Sequence, residues 1–134
     1  MFRRDAKIEL LKQVPLFAEC SKRELAEVAA LADEMHFPAG KTLIEEGKRG
    51  REFFVVVDGS VEVRRKGRRA GKHDGWSFYG EAALLTGKPR NATVTTTTPV
   101  RALVITDRAF DQLLRDSPSI QRKLLASLAA RLAD

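Results

Sequence analysis

Phe53-Phe54-Val55-Val56-Val57-Asp58-Gly59-Ser60-Val61-Glu62-Val63 is the stretch on which the fold turns. Five consecutive apolar residues, all aromatic or β-branched, are suited to a strand buried on both faces. Asp58-Gly59 then predicts a hairpin turn. The returning segment from Ser60 to Lys66 alternates, with Val61 and Val63 facing inward and Glu62 and Arg64 outward.

The same grammar extends on both sides. Upstream, the β character begins at Met35. Pro38-Ala39-Gly40 reads as a turn, Thr42-Leu43-Ile44 as a short strand, and Gly47 and Gly50 bracket a loop. Downstream, Asn91 to Thr106 is strand-rich, with four threonines at Thr95 to Thr98 and then Val100 to Ile105. The ends are helical. Ile8, Leu10, Leu11 and Val14 share a face that Pro15 stops, and Ser21 with Glu24 three residues on forms a capping box. Asp107 reads as the N-cap of a helix carrying Phe110, Leu113 and Leu114. Ser117-Pro118 opens a last helix with Ile120, Leu124, Leu125, Leu128 and Leu132. The expectation is a mainly β chain, a small jelly roll or barrel with helices at both ends.

With 134 residues, the chain is the size of one domain and buries a core without metals or disulfides. Its 31% charged and 43% hydrophobic residues are the balance of a folded domain, with a formal net charge of +6. Cys20 is alone, so no intrachain disulfide forms. No apolar run reaches the length of a bilayer span and no secretory signal is read at the N-terminus, so the expected address is the cytoplasm. Catalysis is argued against by inventory. His36 and His73 stand apart from one another, no metal-ligand spacing occurs, and neither a nucleophile elbow nor a Walker loop is present. His36 reads as a structural residue, His73 as solvated and Cys20 as inert. The expected protein is not an enzyme and carries no cofactor.

One segment, Phe78 to Val94, carries different chemistry. A short helix former, Glu81 to Leu85, is entered through Gly80 and left at Gly87. Free backbone N–H groups at such a start attract an anion, and Gly80 permits close approach. The small Ala82 and Ala83 keep the first turn uncrowded. Pro89 stiffens the return, and Arg90 arrives with a fork of donors suited to phosphate oxygens. Glu81 repels an anion but suits a ligand that also offers a hydroxyl, as a ribose does. On these residues alone, an Arg90–Glu81 ion pair that merely holds a loop is equally well read.

The whole run, Gly80-Glu81-Ala82-Ala83-Leu84-Leu85, three residues, then Pro89-Arg90-Asn91-Ala92-Thr93-Val94, resembles the phosphate-binding cassette of cyclic nucleotide-binding domains. The upstream glycines and strands resemble the first β-hairpins of that family, and Phe110 to Leu114 with Ser117-Pro118 resembles its hinge and lid helices. The resemblance implies one cyclic nucleotide-binding domain over 1–134. Its parts would be N-terminal helices at 1–34, a β-barrel at 35–106 holding the cassette at 79–94, and hinge and lid helices at 107–134. It implies further that Arg90 pairs with the cyclic phosphate and Glu81 with the ribose 2′-hydroxyl. The backbone at Gly80, Ala82, Ala83 and Ala92 would donate to phosphate oxygens, and Val63 would line the wall beside the base. Asn91 stands where the family carries Ala, Thr or Ser, a hydroxyl there being associated with reading guanine, and its amide can both donate and accept. The ligand is then cAMP or cGMP, with cAMP favoured by family frequency. Leu125, Leu128 or Leu132 would cap the base.

Arg64, Arg65, Lys66, Arg68, Arg69 and Lys72 put six positive charges into nine residues. The plain reading is a solvated hairpin tip. The run lacks interleaved aromatics, which argues against DNA binding by this chain alone. The expected role is a sensing module that closes its C-terminal helices over a cyclic nucleotide. It would act on a protein partner or on an effector domain outside this chain, with a homodimer through the C-terminal helix also implied by the family. The alternatives are an interaction scaffold that has kept the fold without the ligand, and a weak charge-driven nucleic-acid binder.

Overall fold

Phe53 to Val57 lies at the centre of the larger unit, Asp33–Asp107, one of two compact units into which the chain divides. The computed structural model describes residues 3–133, without the side chains of 82, 83 and 131–133. The unit is built from β1 (Asp33–Phe37), β2 (Thr42–Ile44), β3 (Glu52–Asp58), β4 (Ser60–Arg65), β5 (Arg68–Asp74), β6 (Ser77–Tyr79), β7 (Thr93–Thr96) and β8 (Val100–Thr106). They form two four-stranded antiparallel sheets, ordered β1-β8-β3-β6 and β2-β7-β4-β5. This is a jelly roll, as the pattern of short strands predicts.

The burial of β3 follows from its central place. Phe54 and Val56 join Ile44, Val61, Val63, Ala92, Val94, Val100, Ala102 and Val104 in the core between the sheets. Phe53 and Val55 are fully buried on the other face of the strand, and Phe53 meets the ring of Phe78 edge-on at 6.2 Å. On β4, Val61 and Val63 point into the core while Glu62 and Arg64 face outward, as expected.

Asp58-Gly59 does not form the expected hairpin. β3 pairs with β6 and β8, whereas β4 pairs with β5 and β7, so the bend carries the chain from one sheet to the other. Here Gly59 is packed so tightly that a Cβ would stand 2.3 Å from the Pro99 carbonyl oxygen. The hairpin instead joins β4 to β5 through Lys66-Gly67. The basic stretch is therefore the solvated tip of this hairpin, as read, and it continues into the strand β5. β5 is an edge strand exposed along nearly its whole length, so it needs no apolar face.

The second unit comprises residues 1–32 and 108–134. It holds α1 (Arg4–Lys12), a 3₁₀ turn at Pro15–Phe17, α2 (Lys22–Ala29) and most of α3 (Asp107–Asp116), and ends with α4 (Pro118–Ala133). Its core is made by Ile8, Leu11, Phe17, Val28, Phe110 and Ile120, with Phe17 and Phe110 meeting edge-on at 6.1 Å. The capping box forms as read. The Ser21 hydroxyl accepts from the Glu24 amide at 3.1 Å, and the Glu24 carboxylate from the Ser21 amide at 2.8 Å. Ser21→Ala should cost about 1 kcal/mol in chemical denaturation.

Glu24 also ties α2 to α4, accepting from the Ser119 hydroxyl at 2.8 Å with the Lys123 ammonium at 3.6 Å. The Ser21 amide above all, then Ser119, holds its carboxyl down to about 2 against the opposing push of burial. A lowered carboxyl stabilises the fold fully above its ordinary value of 4.5 and loses that contribution as pH falls toward about 2. The thermal midpoint should therefore drop over that acid window, and Glu24→Gln should flatten the drop.

On α4 the buried positions are Ile120, Leu124 and Ser127, while Leu125 is 66% exposed. Of the three candidate caps, Leu125 thus faces solvent, Leu128 is half-buried, and Leu132 lies outside the described side chains. Among the described residues no helix is long and apolar enough to cross a membrane.

Candidate functional site

The cassette segment is anchored by its neighbours before any ligand is considered. After β6 the chain passes Gly80, at φ +85°, into a 3₁₀ turn, Glu81–Leu84, where the sequence predicts a short helix to Leu85. Leu84 is buried and fixes that turn. The return is clamped on the loop after β2. The Arg90 amide donates to the Lys48 carbonyl at 2.7 Å, and the Gly47 amide to the Arg90 carbonyl at 2.8 Å. With both main-chain groups of Arg90 committed, its side chain leaves the backbone in a fixed direction.

That side chain is half-buried, and its Nη2 donates to the Glu52 carbonyl at 2.6 Å. Its guanidinium lies directly over Gly80, where a Cβ would stand 2.4 Å from Nη1 and 2.9 Å from the Glu52 carbonyl oxygen. Glycine is thus required at 80 both by the sign of φ and by the arginine packed on it. Burial pulls the guanidinium below its usual range, opposed by the Glu52 and Asp107 carboxylates. It stays charged, because an arginine does not deprotonate in a protein.

Arg90 and Gly80 line a cavity of about 690 Å³ within the β unit. Five of the eight residues expected at the site line it: Val63, Gly80, Arg90, Asn91 and Ala92. Val63 and Ala92 do so from the core, where each is less than a tenth exposed, giving one wall an apolar face. Glu81 is half-buried in the 3₁₀ turn and is not among the lining residues. Ala82 and Ala83 share that turn, and their side chains lie outside those described.

Several lining residues escape the sequence argument. Tyr79 and His73 bridge the two edge strands, β6 and β5, with rings stacked 5.7 Å apart at 16° and the phenol hydrogen-bonded to Nδ1. His73 is therefore a cavity residue and not simply solvated. Burial raises the Tyr79 phenol, and the Ser77 hydroxyl opposes it. The signal available was the period of two in Ser77-Phe78-Tyr79, which marks a strand with Tyr79 on the same side as Ser77. Ala70 and Gly71 line the cavity from β5 opposite Val63, with Gly71 its register partner. Away from the site, burial first and then Glu24 push the Cys20 thiol up to about 11, so it is not a thiolate at neutral pH.

The arrangement offers a fixed cation, an adjacent glycine backbone and an apolar wall in one concave space, which suits a small anionic ligand with an apolar body. Residues 34–117 match the family model described as Cyclic nucleotide-binding domain. The chain is 35% identical over 115 residues to a cAMP-dependent protein kinase regulatory subunit of Mycosarcoma maydis, covering 79% of this chain and 22% of that protein. A cyclic nucleotide-gated potassium channel of Mesorhizobium japonicum is 34% identical over 112 residues, covering 84% and 31%. Among solved structures, the N-terminal domain of a transcriptional regulator from Streptomyces coelicolor A3(2) has a TM-score of 0.83 at 31% identity, covering 92% of each chain. The chain spans about a fifth to a third of the length of these curated relatives.

Proposed function

From the premise that this chain belongs to the cyclic nucleotide-binding domain family, we propose that its cavity takes a cyclic nucleotide, cAMP in preference to cGMP, as the input of a regulatory switch. The observation that carries this reading is the Arg90 guanidinium held over Gly80 at the wall of the cavity. The cyclic phosphate pairs with Arg90 and with amides of the Gly80–Ala83 turn and Ala92. Glu81 accepts from the ribose hydroxyl, and Val63 with Ala92 packs against the sugar and base. Asn91 adds an amide at the rim. The preference for cAMP draws on the kinase regulatory subunits among the relatives.

Binding acts as a switch only through differential affinity for two states. In this proposal residues 107–134 close over the occupied cavity, and the helices pass the change to a protein partner or an effector domain. We place that output on α4, whose exposed Leu125 also suits contact with a second copy. The module itself performs no chemistry and works in the cytoplasm.

Thermal melting with each nucleotide tests the proposal. At 100 times its dissociation constant, a ligand adds about 2.7 kcal/mol to stability, which raises the midpoint by several degrees. A melt that cAMP and cGMP both leave unmoved would overturn the reading in favour of a scaffold that has kept only the fold.

A further inference from the structure

The cavity carries more positive charge than a cyclic mononucleotide can match. Arg65, Lys88 and Arg90 all line it, and among the described residues no Asp or Glu does. A cyclic 3′,5′-monophosphate brings one negative charge, which Arg90 alone satisfies. Glu52 and Asp107 bear on Arg90 from outside the lining, so Arg65 and Lys88 are the two lining cations that a single phosphate held by Arg90 does not use.

The two extra cations are placed by the same loop that fixes Arg90. Arg65 ends β4, and the next residue, Lys66, donates its amide to the Glu46 carboxylate at 2.9 Å. Lys88 precedes the arginine by two residues, and its carbonyl accepts from the Gly50 amide at 3.4 Å. Both therefore stand at the end of the cavity where Arg90 is clamped to Lys48. The acidic groups of that loop are engaged locally, Glu46 with the Lys66 amide and Glu45 with Lys48 at 3.7 Å. Arg65 and Lys88 are exposed, so their heads are free to move onto a ligand at the rim without the desolvation cost of a buried charge. A volume of about 690 Å³ lies within the range for small-ligand pockets.

We propose that Arg65 and Lys88 form a second phosphate subsite, so that beyond cAMP the cavity also takes, and more tightly, a nucleotide with a second phosphate. This rests on the reading of the cavity as a nucleotide site and extends its ligand class. Because Arg90 and the Gly80 turn grip one phosphodiester, the second phosphate reaches the rim on the far part of the same ligand, as it does in a cyclic dinucleotide.

Calorimetry on the full chain tests this with cAMP, cyclic di-AMP, cyclic di-GMP and ATP, the last offering its phosphates as a linear chain. An ion pair at an exposed rim contributes a few-fold, so two together give about tenfold. The wild type should bind a ligand with two or more phosphates about tenfold more tightly than cAMP, and which of them binds identifies its source. In Arg65→Gln/Lys88→Gln, at two exposed positions where folding is undisturbed, that ratio should fall close to one. Raised salt should shrink the same ratio in the wild type. A wild-type ratio at or below one, or one that the double variant leaves unaltered, would overturn the second subsite. If cAMP still binds, only this inference falls. If none of the four ligands binds, the nucleotide reading falls with it.

Discussion

Arg90→Ala is expected to weaken cyclic nucleotide binding by about 30-fold or more, while the protein remains folded. Truncating one partner of a hydrogen-bonded charge pair in a partly desolvated site costs about 2–5 kcal/mol, and 2 kcal/mol is already a factor of about 30. The penalty arises because the phosphate would enter a half-buried cavity with no fork of donors to meet it. Folding should survive, since the main-chain anchors of residue 90, to Lys48 and Gly47, do not depend on its side chain. The lost bond to the Glu52 carbonyl is a single contact at a half-buried position. Arg90→Lys makes the finer distinction. Lysine keeps the charge but not the planar fork, so it should recover only part of the affinity. Calorimetry on all three proteins, each checked by circular dichroism, reads the series. Equal affinities across it would remove Arg90 from the site.

Gly80→Ala is expected to damage fold and binding together. The new methyl would stand 2.9 Å from the Glu52 carbonyl oxygen, which is backbone and cannot swing away, and 2.4 Å from Arg90 Nη1, which can. At φ +85° an alanine is strained even without neighbours. That strain, on the order of 1–3 kcal/mol, should appear as lost stability in chemical denaturation. The displaced guanidinium should lower nucleotide affinity about tenfold, approaching the effect of Arg90→Ala. The double variant Gly80→Ala/Arg90→Ala should then bind little worse than Arg90→Ala, because both changes act on one guanidinium. Additive losses would show that Gly80 contributes separately from the arginine.

Local features were legible in the sequence and long-range ones were not. Ser21 with Glu24 and Pro118 opening α4 are each defined within a few residues and appear as read, and Gly80 and Arg90 meet at the cavity wall. Asp58-Gly59 misled because a turn dipeptide reports a bend but not which strands pair. Whether β4 folds back on β3 or crosses to the other sheet depends on Pro99 and Val100, forty residues away. The strand Arg68–Asp74 was hidden for the opposite reason. Periodicity is visible only where one face is buried, and this edge strand is exposed on both. His73 and Tyr79 meet across the two sheet edges, a proximity that only the closed jelly roll creates. Arg65 was missed likewise, since it comes from β4 and shares the cavity lining with Arg90 only once that strand and the cassette segment meet.

The most direct test of the central claim is a crystal structure of the chain with a bound cyclic nucleotide. A ring phosphate within about 3 Å of the Arg90 guanidinium nitrogens, with its other oxygens on the amides of the Gly80–Ala83 turn, is the predicted result. A cavity left empty at saturating nucleotide, or a phosphate bound away from Arg90, would contradict it.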